Sequence, residues 1–170
     1  MLVSNQHKKI ILNLSHPDRV LTVIPTAKKF LHAGRELVAV PHKVHETRVL
    51  RNLGIRAPSP ILHHYNWSGP FTPFKAQFKT AAFLTMHDMA FVLNDMGTGK
   101  TLAALWAWHY LRSIGMANKL LVVSPLSTLE RTWADEIFRH FPDINAGVLY
   151  GTRDRRLKVL ADDYDAYLIN

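Results

Sequence analysis

Gly97-Thr98-Gly99-Lys100-Thr101 places two glycines, a lysine and a hydroxyl within five consecutive residues. That combination is suited to holding a nucleoside triphosphate. The glycines let the backbone turn its N–H groups inward around phosphate oxygens, Lys100 reaches the β and γ oxygens, and the Thr101 hydroxyl completes the shell of a Mg2+ ion. Asp95 and Met96 form the rest of the loop. A helix beginning near Lys100 adds its positive N-terminal end. The sequence departs from the full pattern GxxxxGK[ST] at one position, since Asn94 stands where the first glycine belongs. Lys100 and Thr101 are the expected catalytic residues, and Thr101 the expected Mg2+ ligand.

Such a loop works only between a buried strand and a helix, and the flanks supply both patterns. The apolar run 90–93 reads as a strand and 100–114 as a helix. Without them the five residues would be a glycine turn followed by a surface Lys-Thr. Runs at 120–123, 146–150 and 166–169 are also short, apolar and bounded by turn residues, whereas 74–86, 128–140 and 153–161 have helical periodicity. The alternation predicts an α/β fold of the P-loop NTPase (RecA-like) kind, a mostly parallel sheet with helices on both faces. Residues 101–111 are apolar on nearly every side, as a helix deep against such a sheet should be. Along 74–86 the apolar stripe is Phe74, Phe78, Ala81, Ala82 and Thr85, and Gln77 shares that face. A buried amide needs a partner. Either an adenine edge, through its N6 amine and N7, or a backbone group at the helix end would satisfy it.

The N-terminal part has another character. Residues 1–66 hold ten Lys and Arg against three Asp and Glu, so they carry +7 of the net +8, and seven of the ten histidines. A basic module beside an NTPase module points to a polyanion, with nucleic acid first, and predicts that these residues raise affinity for DNA. Strands at 10–14 and 20–24 turned by His16-Pro17-Asp18, a helix over 26–33, a strand at 36–40 and a helix over 44–53 make an expected small α+β module, residues 1–57. Four prolines and Gly69 between 58 and 73 predict a linker there, followed by the NTPase part at 74–170. No apolar run reaches the roughly 18–20 residues of a membrane span, the N-terminus has no secretory pattern, and the absence of cysteine fits a reducing cytosol. The expected setting is the cytoplasm of a bacterial or phage-infected cell, with no membrane partner.

Pro73-Phe74-Lys75-Ala76-Gln77, Asn94 to Thr101, Leu121 to Leu129 with Trp133 and Glu136, Tyr150-Gly151-Thr152-Arg153, and Asp163 to Asn170 resemble, in order and spacing, the Q motif and motifs I, Ia, Ib and Ic of Swi/Snf-like superfamily 2 DNA-dependent ATPases of the DEAD/DEAH helicase type. The resemblance covers about 71–170 and is closest to phage and bacterial members. It implies ATP and Mg2+ as cofactors, with Gln77 reading adenine. It also implies double-stranded or branched DNA as partner, touched by Ser124, Pro125, Leu126, Ser127, Thr128, Gly151 and Arg153. Residues 19–56 resemble the HARP (HepA-related protein) module that precedes the motor in annealing helicases. The family's Asp-Glu box and second RecA-like lobe have no counterpart here, so the expectation is the first half of a motor lobe, inactive as an ATPase alone. A non-hydrolysing ATP or nucleic-acid binding fragment and a P-loop kinase of small molecules are the alternatives.

Other constellations carry less. Ser127 and Glu130 are spaced as a capping box, so they could simply start a helix. Trp133 falls on the apolar side with Ile137 and reads as core. His42, His45, His63 and His64 lack carboxylate or thiolate neighbours at ligand spacing, so no structural metal is expected. Asp162, Asp163 and Asp165 precede an apolar run instead of ending one, which predicts a solvated helix end.

Overall fold

The computed structural model describes residues 1–170, which divide into two compact units. The first comprises Met1–Tyr65 with Thr85–Asp88, and the second Asn66–Leu84 with Met89–Asn170.

In the first unit, β1 (Leu2–Ser4), β2 (Lys9–Leu12), β3 (Lys28–His32) and β4 (Arg35–Pro41) form an antiparallel sheet in the order β1-β2-β4-β3. The register opposes Ile10 to Val40 and Leu12 to Val38. All four side chains are buried on one face, together with Val20 of α1 (Asp18–Val23) and Leu50 of α2 (Val44–Asn52). Two expectations are corrected here. Residues 20–24 belong largely to a helix, because Pro17 has a preset helical φ and Asp18 places an acid in the first turn. Residues 26–33 give a strand instead of a helix. Ala33 and Gly34, both at positive φ, make the two-residue turn that pairs β3 with β4. The stretch expected as a linker contains α3 (Ile61–His64), and Ser59 and Ile61 are buried.

His42, only 2% exposed, ties this unit together. Its Nε2 lies 3.0 Å from the Pro58 carbonyl and must donate, which leaves Nδ1 to accept from His64 Nε2 at 2.9 Å. Burial, reinforced by the neighbouring His64 and His63 rings, outweighs the Pro58 carbonyl and holds His42 down to about 4 from the usual 6.5. His64 is lowered too, by burial and by His63 and Lys8. A histidine pKa depressed by folding means that the unfolded chain binds the proton first. Stability is therefore complete above about pH 6.5 and is lost as pH falls toward 4. Hydrogen exchange of the β2 and β4 amides should show this unit losing about 1–3 kcal/mol between pH 7 and 4.5, with a shallower slope in His42→Gln. An unchanged slope in the variant would refute the assignment.

In the second unit, β5 (Leu120–Val123), β6 (Ala146–Leu149) and β7 (Ala166–Ile169) form a parallel sheet ordered β5-β7-β6. The sheet follows α4 (Lys75–Met86, whose last two residues lie in the first unit) and α5 (Lys100–Ser113). After β5 come α6 (Leu126–Thr128), a π-helical turn (Leu129–Ala134) and α7 (Asp135–His140); α8 (Arg153–Ala161) joins β6 to β7. Leu102, Ala103, Leu105, Trp106, Ala107, Trp108 and Tyr110 of α5 are buried, as its composition predicts.

Several expectations change in this unit. Residues 90–93 form no strand and pair with neither β5 nor β6; Phe91 and Leu93 are 88% and 91% exposed. A strand needs an adjacent edge to satisfy its N–H and C=O groups, and an apolar pattern alone provides none. No side-chain cap bond forms at Ser127, because the helix begins at Leu126 and takes Ser127 inside it. The acids at 162–165 do more than face water. Asp165 pairs with Arg112 of α5 and accepts from Asn145 N–H at 2.9 Å, while Asp163 pairs with Lys119. Phe74, placed on the buried stripe by spacing, is 66% exposed.

Candidate functional site

The loop before α5 is closed by its own side chains. Thr98 Oγ1 donates to Asp95 O at 2.8 Å, and Lys100 Nζ donates to the carbonyls of Asn94 and Asp95, each at 2.8 Å. An ammonium has three donors, so two fix the loop and one remains for a ligand. Gly97 and Gly99 lie at φ +76° and +70°, the left-handed region that glycine enters without strain. Gly99 caps α5 with no side-chain hydrogen bond, so the first N–H groups of this 14-residue helix lack a side-chain acceptor, as an anion-binding helix start requires. Asn94 is not at positive φ. Its amide donates to Thr80 Oγ1 at 2.8 Å, so a side chain is accommodated where the full pattern has glycine.

Gln77 is buried and does structural work. Its Oε1 accepts from the Phe74 N–H at 2.8 Å, and its Nε2 donates to the Gly99 carbonyl at 3.4 Å. Of the two partners open to it, a backbone group at the helix end is realised, and the same amide ties α4 to the loop. A Cβ on Gly99 would lie 2.2 Å from Gln77 Nε2, whereas a Cβ on Gly97 would meet nothing within 4 Å. Gly99→Ala should therefore weaken triphosphate binding several-fold more than Gly97→Ala. Both variants carry backbone strain of about 1–2 kcal/mol, but only the first displaces Gln77. Parallel titrations check this, and equal losses would contradict it.

These residues border a cavity of about 480 Å³ lined by Gln77, Gly97, Thr98, Gly99, Lys100 and Thr101, within the range of small-ligand sites. Asp95 and Met96 are exposed beside it, on the rim of the loop. The residue set fits ATP with Mg2+: a Cβ on Gly99 would displace the Gln77 amide beside the loop, Lys100 supplies a cation and Thr101 a hydroxyl. Phe71, Phe74, Leu102, Thr132 and Glu136 complete the lining. Sequence spacing did not assign any of these five to the pocket. Thr132 and Glu136 are one helical turn apart, a signal that becomes useful only once that helix is known to face the loop.

The residues expected to touch DNA fall into two groups. Ser124 to Thr128 follow β5 directly, and Gly151 and Arg153 follow β6. In a parallel sheet both loops leave the same, carboxyl-terminal edge, on either side of β7, the edge where α/β folds bind ligands. Ser124 N–H donates to Ile169 O at 3.0 Å, which anchors the first loop. Pro125, Leu126 and Ser127 are exposed, while Ser124 and Thr128 are half-buried and hydrogen-bonded to each other at 3.2 Å. Gly151 sits at φ +98°, and Thr152 caps α8 by accepting from the Arg155 N–H. Arg153, Arg155, Arg156 and Lys158 line this helix, all exposed. Trp133 is half-buried.

The ISWI chromatin-remodeling complex ATPase ISW1 of Saccharomyces cerevisiae is 35% identical over 109 residues, 59% of this chain and 10% of that protein. The ATP-dependent DNA helicase DDM1 of Arabidopsis thaliana is 38% identical over 63 residues, 37% of this chain and 8% of that protein. The chain thus spans about a tenth of the length of these relatives. Among solved structures, the Sulfolobus solfataricus SWI2/SNF2 ATPase core in complex with dsDNA superimposes with a TM-score of 0.52 at 25% identity, covering 61% of this chain and 22% of that one. These relatives are eukaryotic and archaeal, and they lend no support to a special nearness to phage or bacterial members. No helix is long and apolar enough to cross a membrane. Residues 77–168, more than half of the chain, match the model of the SNF2-related domain, and the protein belongs to that family.

Proposed function

We propose that this chain is the ATP-binding part of a DNA-dependent ATPase that couples ATP hydrolysis to movement along DNA. The observation that carries this reading is the Lys100 cradle, an ammonium held 2.8 Å from two loop carbonyls beside the uncapped N-terminus of α5. When bound, ATP would supply the γ-phosphoryl group and Mg2+ would offset its developing charge. The protein's own part is positional. Gly97 to Gly99 turn N–H groups toward the phosphates, Lys100 binds their β and γ oxygens, Thr101 holds the metal, and Gln77 keeps the loop in place while facing the adenine. Ser124 to Thr128, Gly151 and Arg153 bind the phosphates of double-stranded or branched DNA, a partner supported by the duplex bound to the archaeal relative. Residues 1–57 act as a basic accessory module that adds to this affinity.

Transfer to water also needs a carboxylate to orient the nucleophile and an arginine to stabilise charge, the latter worth about 10³–10⁵ in rate in related enzymes. The pocket is lined by no arginine and by Glu136 alone among the carboxylates. Accordingly, the 170-residue chain should bind Mg-ATP and duplex DNA yet release phosphate at background rate. DNA affinity should fall steeply with salt as counterions are released. Anisotropy across a salt series and phosphate-release assays with and without DNA make the test. Salt-independent binding would refute the DNA reading, and DNA-stimulated turnover abolished by Lys100→Ala would show that these residues complete the site.

A further inference from the structure

The antiparallel sheet of the first unit has a second face. Ile10, Leu12, Val38 and Val40 pack into the core with Val20 of α1 and Leu50 of α2, so alternation places Lys9, Ile11, Leu37, Lys28 and Phe30 on the opposite side. With Leu2 they line a concavity of about 750 Å³. Phe30, Leu2 and both lysines are exposed, while Ile11 and Leu37 are half-buried. No carboxylate lines this concavity. Glu36, the one acid in the four strands, alternates to the core side with Val38 and pairs with Lys29 at 2.9 Å. The charge on this face is therefore positive and uncompensated. Its arrangement is regular as well. Lys9 and Ile11 on β2, and Lys28 and Phe30 on β3, are each two residues apart, about 7 Å along a strand. Both strands pair antiparallel to β4 and so run in the same direction, repeating the cation and the apolar side chain in the same sense.

A partner for such a face must alternate anions with flat apolar rings. In a duplex the base faces are covered by their neighbours, so a duplex could meet the lysines but would leave Phe30, Ile11 and Leu37 facing water. An acidic peptide would likewise meet only the charge. A single strand offers both, since its unstacked bases present ring faces between successive phosphates. We infer that this open sheet face binds single-stranded DNA, with a base stacked on Phe30, neighbouring bases against Ile11 and Leu37, and phosphates on Lys9 and Lys28. Four-stranded sheets with an aromatic platform hold about two or three bases. The inference rests on the DNA reading above for the kind of nucleic acid, and adds a single-strand site on an element separate from the loops that follow β5 and β6.

The test is fluorescence anisotropy of the full chain with labelled probes of equal length: oligo-dT, the same deoxyribose-phosphate chain without bases, oligo-U and a DNA duplex. Wild type should bind oligo-dT about tenfold tighter than the base-free chain, within the range for one base stacked on an aromatic ring. Phe30→Ala should remove most of that difference and leave duplex affinity unchanged, whereas Phe30→Tyr, which keeps the ring, should preserve it. Lys9→Gln combined with Lys28→Gln should lower the salt slope for oligo-dT by about 1.4, since each phosphate contact on a single strand contributes about 0.7. Arg19→Gln, on the helix α1 that packs against the other face, should leave the slope as it is. Circular dichroism verifies that the variants are folded, and the comparison of oligo-dT with the base-free chain needs no variant. Equal affinity of wild type for those two probes would overturn the inference. So would an equal loss of duplex binding in Phe30→Ala, tighter binding of oligo-U than of oligo-dT, or displacement of oligo-dT by polyglutamate as readily as by unlabelled oligo-dT. In each case salt-dependent binding of the duplex would leave the DNA reading standing. Failure of wild type to bind either oligo-dT or the duplex would overturn that reading, and the inference with it.

Discussion

Replacing Lys100 with Ala lowers the affinity of this chain for Mg-ATP by tenfold or more. Two losses combine in that expectation. The ammonium is the one cation lining the cavity, and hydrogen bonds from a charged donor to phosphate are about twice as strong as neutral ones. Its two bonds to the Asn94 and Asp95 carbonyls also hold the loop in shape, so the variant loses preorganisation as well as charge. A tenfold change corresponds to about 1.4 kcal/mol, which is a floor. Calorimetric titration of wild type and variant at one Mg2+ concentration reads it directly. Lys100→Arg separates the two contributions, because it keeps the charge but replaces a compact ammonium with a planar fork. Equal affinity in wild type and Lys100→Ala would remove the loop from the nucleotide site.

The second large effect is on folding. Trp106 is fully buried in α5, donates its indole N–H to the Ser68 carbonyl at 2.8 Å, and meets the Trp67 ring edge-on at 5.5 Å. Trp106→Ala should cost about 3–5 kcal/mol, the range for removing a large aromatic from a packed core, with the Ser68 carbonyl losing its donor in addition. That is comparable to much of a domain's stability. Hydrogen exchange of the α5 amides should reveal the second unit opening, while the β2 and β4 amides of the first unit keep their protection. Trp106→Phe, which retains most of the volume, should recover the larger part. Wild-type protection in Trp106→Ala would mean that this core does not support the helix that follows the loop 94–99.

Local conformation set by neighbouring residues was legible in advance. Gly97 and Gly99 take the positive φ that their residue type permits, and α5 starts at Lys100 as the helical pattern predicts. The elements β5, β6, β7, α4, α5 and α8 fall at or close to the ranges predicted for them, because short apolar runs between turn residues and helical spacing mark strands and helices in the sequence. The apolar run 90–93 carries the same pattern, yet it forms no strand. Pairing depends on a neighbouring edge, which residue order does not encode. The β3–β4 hairpin was hidden for a different reason: Ala33 takes positive φ beside Gly34, and alanine gives little warning of that conformation.

What the sequence by itself determined is the residue set and turn of the loop 97–101 and the alternation of elements behind it, because both rest on residues within a few positions of one another. Only the tertiary structure decided that Gln77 is held by Phe74 N–H and the Gly99 carbonyl, that Phe71, Thr132 and Glu136 share the cavity, and that the loops after β5 and β6 leave one edge of the sheet. Gln77 and Gly99 are 22 residues apart. Contacts of that kind are set by how helices pack and strands order themselves, and packing is a property of surfaces brought together, which no single stretch of residues carries.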